Sequence, residues 1–258
     1  MQPAALLTRH GKGAAIAAAL AGDGHGVITI SDWDTDQLGS FCGATKRPLP
    51  ATTVVRLKAM LASDLSGLGR GLGSEGSFAG GPMPGLLSWH QELVCLYDRS
   101  SGQTVTGVSA GPAPLTPQTL AGREELQALV QRYPGQGWLL RNDAVLHKGL
   151  LSVAQILHHA PDWPVTLEPD WRAMLSPMRR QRIYAAAQNL AERLRQLCPA
   201  CRRPDFWPDD VRPGLPCADC ATPTSRILSR TARCLCGFSQ TTVVSTVADP
   251  YDCPRCNP

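Results

Sequence analysis

The sequence predicts an α/β N-terminal domain joined by a long amphipathic helix to a small C-terminal zinc-ribbon region. Three observations carry this. Short apolar runs alternate with helical patterns over the first 165 residues, as in βα repeats. One apolar stripe, Ile183, Ala187, Leu190, Leu194 and Leu197, recurs at +4 and +3 and leads straight into Cys198. Eight of the ten cysteines fall within the last 61 residues of the 258-residue chain.

Taken in order, Ala4–Thr8 and Val27–Ile30 read as short buried strands around an alanine-rich helix, Gly13–Ala21, a β-α-β opening. Thr52 or Thr53 is placed to cap a second helix running to about Ser63, with Val55, Met60 and Leu61 on its buried face. Gly67–Gly85 holds eight glycines and predicts a long loop. Glu92–Tyr97 and Thr104–Ser109 predict strands around the turn Asp98–Gly102. Thr116 with Pro117 predicts the start of a helix ending near Tyr133. Gly137–Arg141 predicts a strand, and Ser152 with Gln155 a capping box opening a short helix. The α/β domain is thus expected over 1–165, the linker and amphipathic helix over 166–197 starting at Ser176–Pro177, and a double zinc-ribbon region over 198–258.

The cysteines read as two sequential quartets. Cys198, Cys201, Cys217 and Cys220 form C-x2-C-x15-C-x2-C, and Cys234, Cys236, Cys253 and Cys256 form C-x-C-x16-C-x2-C. Two thiolate pairs aimed at one point fill tetrahedral Zn²⁺ and leave no open position, so two structural zinc ions are expected. The spacing also leaves open a cross-braced sharing in which Cys217 and Cys220 pair with Cys234 and Cys236. Phe206 and Trp207, inside the first loop, serve either as a contact surface or as cover for the sulfurs, and cover is the preferred reading.

Composition narrows the remaining choices. A hydrophobic fraction of 43% supports an ordinary core, while 24 glycines and 22 prolines imply many turns. Residues 151–258 carry thirteen arginines and no lysine against ten acids. Each four-thiolate zinc centre adds about two negative charges, which weakens a nucleic-acid reading based on charge. Met1–Leu20 shows no secretory pattern, and the most apolar run, Ala14–Ala21, is too short to span a bilayer. CxxC pairs without an export signal favour metal over disulfides, and a cytoplasmic location with no membrane partner is expected.

Polar segments at predicted strand ends suggest chemistry. Arg9, His10 and Lys12 lie where a strand ends and a helix begins, a junction whose backbone N–H groups can receive phosphate. Asp34 and Asp36 flank Thr35 on one side of an extended segment, as a Mg²⁺ or Mn²⁺ site requires, although such residues are also common in turns. Glu75 lies between glycines in Gly73–Ser77, suited to metal or water activation. His90 is a candidate base or ligand beside Glu92.

The chain resembles an uncharacterised bacterial family that combines an N-terminal α/β domain with a C-terminal double cysteine-knuckle region. The likeness rests on Thr8–Lys12 (TRHGK), Asp34–Gly43 (DTDQLGSFCG), Leu72–Phe78 (LGSEGSF), Lys148–Gly149, Glu168–Arg179 (EPDWRAMLSPMR), Gly214–Cys220 (GLPCADC) and Asp249–Pro258 (DPYDCPRCNP). The resemblance implies architecture and carries no activity. Relatives look to have His and Asn where Met174 and Ser176 stand, an acid where Ala44 stands, and a His-Pro pair where Ala79-Gly80-Gly81-Pro82 continues the SEGSF segment. A looser pattern, an early lysine, acids, Lys58-Ala59 on a helix and a glycine-flanked acid, is similar to nucleoside-triphosphate pyrophosphatases.

Two functions compete on this basis. One is a metal-assisted hydrolase of a phosphate-bearing small molecule or nucleotide, with Asp34, Asp36 and Glu75 on the metal or water, Arg9, His10 and Lys12 on phosphate, and His90 moving a proton. The other is a zinc-ribbon adaptor binding nucleic acid or a partner protein through the arginine cluster near Arg179–Arg182 with Arg202, Arg203, Arg226, Arg230 and Arg233. Glu168, Asp170 and Arg172 suit either the site or a salt-bridged turn.

Overall fold

The computed structural model describes residues 3–31, 33, 49–78, 81, 88–113, 115–142, 145–160 and 162–258. Its first sheet grows from β1 (Ala4–Leu7), buried at every position as an inner parallel strand must be. Helix α1 (Gly13–Leu20) returns the chain to β2 (Val27–Ile30), parallel to β1 on one side. Helix α2 (Ala51–Ser66) leads to β3 (Arg70–Ser77), parallel to β1 on the other side. The long antiparallel pair β4 (Trp89–Asp98) and β5 (Gln103–Pro112) completes the order β2-β1-β3-β4-β5. Chain order therefore reverses between β1 and β3, the crevice where open α/β sheets bind ligands.

The glycine-rich stretch expected to be a loop contains β3, and packing explains its composition. A Cβ at Gly71 would overlap the Ala59 carbonyl, and one at Gly73 would lie 2.8 Å from the Ala59 nitrogen. Glycine at alternate positions lets α2 lie directly on the strand. Helix α2 ends on Gly67, whose φ of 71° places it in the left-handed region that favours glycine.

A second, fully antiparallel sheet follows, where one continuous α/β domain was expected. It comprises β6 (Gln118–Leu120), β7 (Trp138–Asn142), β8 (Val145–Leu150) and β9 (Val165–Pro169) in the order β6-β9-β7-β8. Helices α3 (Arg123–Arg132) and α4 (Val153–His159) share its core, built on Leu126, Trp138, Ile156 and Leu167. Thr116-Pro117 does not open a helix. The residues after it pair with β9, and α3 starts at Arg123 with Glu124 and Glu125 in its first turn. The Ser152–Gln155 capping box is present at α4.

Helix α5 (Pro177–Arg195) starts at the expected proline and buries Ile183, Ala186, Ala187 and Leu190. Gly107 on β5 admits it, since a Cβ there would lie 2.7 Å from the Leu190 Cα. The chain divides into two compact units, Met1–Ala191 and Glu192–Pro258. The first unit extends past the boundary at 165 because β9 is an inner strand of the second sheet.

The second unit contains the antiparallel sheet β10 (Asp210–Pro213), β11 (Ile227–Arg233) and β12 (Ser239–Val243). Its buried apolar side chains are few, Leu215, Ala232 and Ala248, beside Cys198, Cys217 and Cys253. Hydrocarbon burial on that scale does not hold a fold of this size. Among the described residues, no helix is long and apolar enough to cross a membrane.

Candidate metal centres and a buried ionic cluster

The eight C-terminal cysteines gather into two tetrads, Cys198, Cys201, Cys234 and Cys236, and Cys217, Cys220, Cys253 and Cys256. The sequential quartets are therefore not formed, and neither is the pairing of Cys217 and Cys220 with Cys234 and Cys236. Knuckle one pairs with knuckle three and knuckle two with knuckle four, interleaving the loops. Spacing within a knuckle specifies a turn and leaves its partner to be chosen by strand pairing.

Each knuckle is made by one local device. The residue after the second cysteine donates its N–H to the carbonyl of the first: Arg202 to Cys198, Ala221 to Cys217, Gly237 to Cys234 and Asn257 to Cys253. Closing that turn puts Arg202, Ala221 and Gly237 at φ of 62°, 59° and 93°. The C-x-C knuckle is one residue shorter and uses glycine there, where a side chain would add strain.

Tetrahedral zinc with metal–sulfur bonds of about 2.3 Å separates its sulfurs by about 3.8 Å. The observed separations are 3.7 Å for Cys198–Cys236, 3.5 Å for Cys201–Cys234, 3.9 Å for Cys217–Cys256 and 3.6 Å for Cys220–Cys253. Both donor sets fit the ion. Crowding also acts on acidity. A hydrogen bond with Thr222 pulls the Cys220 thiol down to about 6, while its contact with Cys220 pushes Cys256 up to about 12. A cation removes that conflict by favouring all four thiolates.

The first unit holds a different constellation at the β1/β3 reversal. Lys12 occupies the N-cap position of α1, whose first turn has no side-chain cap. Its ammonium is buried, 3.2 Å from the Ser74 carbonyl and 3.4 Å from the Ser74 hydroxyl on β3. Among the described residues no carboxylate lies within ion-pair distance of it. Burial, then the charge of Arg179, lowers its pKa to about 8.

Around it sit two buried ion pairs on opposite faces of the sheet. Lys58 of α2 meets Glu75 at 2.5 Å on the face of β3 that carries Gly71 and Gly73. On the other face Glu92 accepts from Arg179 Nε at 2.6 Å and lies 2.9 Å from His90 Nε2. Burial pushes the Glu92 carboxyl up, but the Arg179 charge and the His90 hydrogen bond outweigh it and hold its pKa at about 2. An ionised carboxylate only accepts, so His90 Nε2 carries the proton. Desolvation lowers the His90 pKa and keeps the ring neutral.

Aromatic and backbone groups hold this cluster. Phe78 stacks on His90 with ring centroids 4.2 Å apart and on Trp171 at 4.4 Å. The Trp171 carbonyl accepts from Arg179. Buried Asp170 accepts from the Gly149 N–H and pairs with Arg172 at 2.6 Å, fixing the segment that carries Trp171. Asp170 and Arg172 thus brace the site from behind.

Of the residues singled out by sequence, Lys12 and His90 lie on the Ser74–Glu92 face of the sheet, and Glu75 points to the opposite face, against Lys58. Arg9 is exposed and His10 half-buried on the loop ahead of Lys12. Asp34, Asp36, Ala44 and Ala79 lie outside the described residues. Met174 faces Gly11, where an added Cβ would meet its Cβ at 3.4 Å, so it lies beside the loop. Ser176 is buried, and its hydroxyl accepts from the Arg179 N–H at the start of α5. The ionic roles of Glu92, Lys58 and Arg179 escaped sequence reading. Glu92 offered a signal, a charge within the otherwise apolar run of β4, whereas Arg179 stands among other arginines of α5.

Comparison with curated proteins and with solved structures gives no match. The model of a family described as a domain of unknown function (DUF6671) matches residues 58–258, from Lys58 through both tetrads, and the chain belongs to that family.

Proposed function

We propose that the first unit binds a phosphate-bearing small molecule, nucleotides among them, at the loop 8–12 and hydrolyses it with a divalent cation, while two zinc ions shape the second unit. One observation supports this above the others. Lys12 is a buried ammonium held on neutral serine oxygens, beside an uncapped helix start, at the reversal point of the sheet. Burying a cation without a counter-charge costs stability, and an incoming phosphate supplies the missing charge. Arg9 and His10 belong to the same loop.

Glu75 takes a different part in this reading from the one expected of it. Its carboxylate holds Lys58 and Glu92 holds Arg179; Asp34 and Asp36, outside the described residues, are the carboxylates this reading assigns to the cation. When bound, Mg²⁺ or Mn²⁺ would neutralise the phosphate and activate water. Neutral His90 keeps its place through Glu92 and Phe78. A phosphate-release screen over nucleotides and sugar phosphates, with Mg²⁺ or Mn²⁺, tests the proposal. Turnover lost in Lys12→Met, with folding retained, supports it; no turnover by the wild type turns the assignment towards binding alone.

An adaptor role for the second unit is the second reading. Leu235 and Tyr251 are 86% and 78% exposed, which favours a protein partner. Nucleic acid is less favoured, because Arg226 is paired with Asp252 and Arg233 with Asp210. Capture of a partner that is lost in Leu235→Asp tests this reading.

A further inference from the structure

Strand β12 is an edge with no protection. Residues 239–247 are exposed without interruption, none is charged, and six of the nine are Thr or Val. The opposite edge, β10, carries Asp210, Arg212 and Pro213, the usual means of blocking strand addition. The two edges of one small sheet are thus treated differently.

Backbone geometry defines what β12 offers. The Cys234 N–H donates to Phe238 O, and the Val244 N–H donates to Leu228 O, so even-numbered residues turn their peptide groups towards β11. Odd-numbered Ser239, Thr241 and Val243 then present N–H and C=O outward. These three positions are centred on Thr241. A two-fold axis there sets Thr241 against its own copy and Ser239 against Val243, closing about six backbone hydrogen bonds. No charge opposes a like charge in that register, which suits self-pairing.

We propose that β12 pairs antiparallel with β12 of a second copy of this chain, joining two three-stranded sheets into one of six strands. The outward peptide groups, the missing charges and the contrast with β10 all point to this occupant. Val243 and Val244, 61% and 54% exposed, lose water on the same contact.

Sedimentation equilibrium of the full metal-loaded chain, with Thr241→Lys and Thr241→Glu, tests this. The wild type is expected to dimerise with concentration. Each variant should weaken self-association by about fivefold or more, because like charges would face each other across the axis. Mixing the two variants should restore a dimer, an outcome that simple unfolding does not produce. Unchanged metal content confirms that both variants fold. A monomeric wild type, variants that dimerise as well as it does, or a mixture that stays monomeric would overturn the proposal. So would a monomer that instead takes up an added uncharged extended peptide, since the edge would then belong to a foreign strand.

Discussion

Gly76 and Glu92 face each other across β3 and β4, and the space of the missing side chain holds the carboxylate. A Cβ at Gly76 would lie 2.7 Å from the Glu92 carboxyl carbon and 2.8 Å from one of its oxygens. Glycine at that position makes the Glu92–Arg179–His90 arrangement possible. Gly76→Ala should therefore destabilise the first unit by about 1–3 kcal/mol through overpacking, read from denaturant unfolding. A smaller loss would mean that Glu92 moves freely.

Removing the charge instead of the space should cost more. Glu92→Gln leaves the Arg179 guanidinium buried beside a neutral amide, a loss of about 3–5 kcal/mol. The pH dependence has a definite sign. The folded carboxyl titrates at about 2, below its ordinary value. Its contribution is complete above the unfolded pKa of about 4.3 and fades as pH falls towards 2. The wild type should lose stability through that window, and Glu92→Gln should lose less.

Lys12 carries the opposite dependence. Its folded pKa of about 8 lies below the ordinary 10.5, so the folded state releases its proton first. Stability should rise between about pH 8 and 10.5, and that slope should flatten in Lys12→Met. At pH 7 the substitution should stabilise the fold, by up to a few kcal/mol. A residue whose removal stabilises the protein is one retained for another purpose.

Much of this was legible in the sequence. The β-α-β opening, the β4–β5 pair, the capping box at α4 and the start of α5 all follow from local pattern. So does every tetrad ligand. β3 was hidden because its glycines answer to the helix packed on them, α2, and their two-residue period marks close packing instead of a loop. β6 was hidden because Thr116-Pro117 is an adequate helix start until β9 competes for the residues after it. The interleaving of the knuckles was hidden because the strands β10–β12 decide it. Nothing local to Lys58, Glu92 or Arg179 names an ionic partner, and only tertiary contact pairs Lys58 with Glu75 and Arg179 with Glu92.

The interleaved tetrads predict which ligands fail together. Cys234→Ser should lower bound metal from two ions per chain to one, leaving the Cys217 and Cys253 knuckles loaded. Element analysis of Cys234→Ser combined with Cys201→Ser should still show one ion. A drop to none in that double variant would restore the sequential quartets. Full chelation should unfold the second unit, whose apolar core is too small to hold it, read as loss of amide protection over 198–258.

The buried lysine as an anion receptor is tested most directly by calorimetric titration of pyrophosphate into the metal-loaded chain at pH 7, beside Lys12→Met. The account predicts saturable binding to the wild type, weakened by about tenfold or more in a variant that is folded and more heat-stable. Equal affinity in the two proteins, or no binding to the wild type, would contradict it.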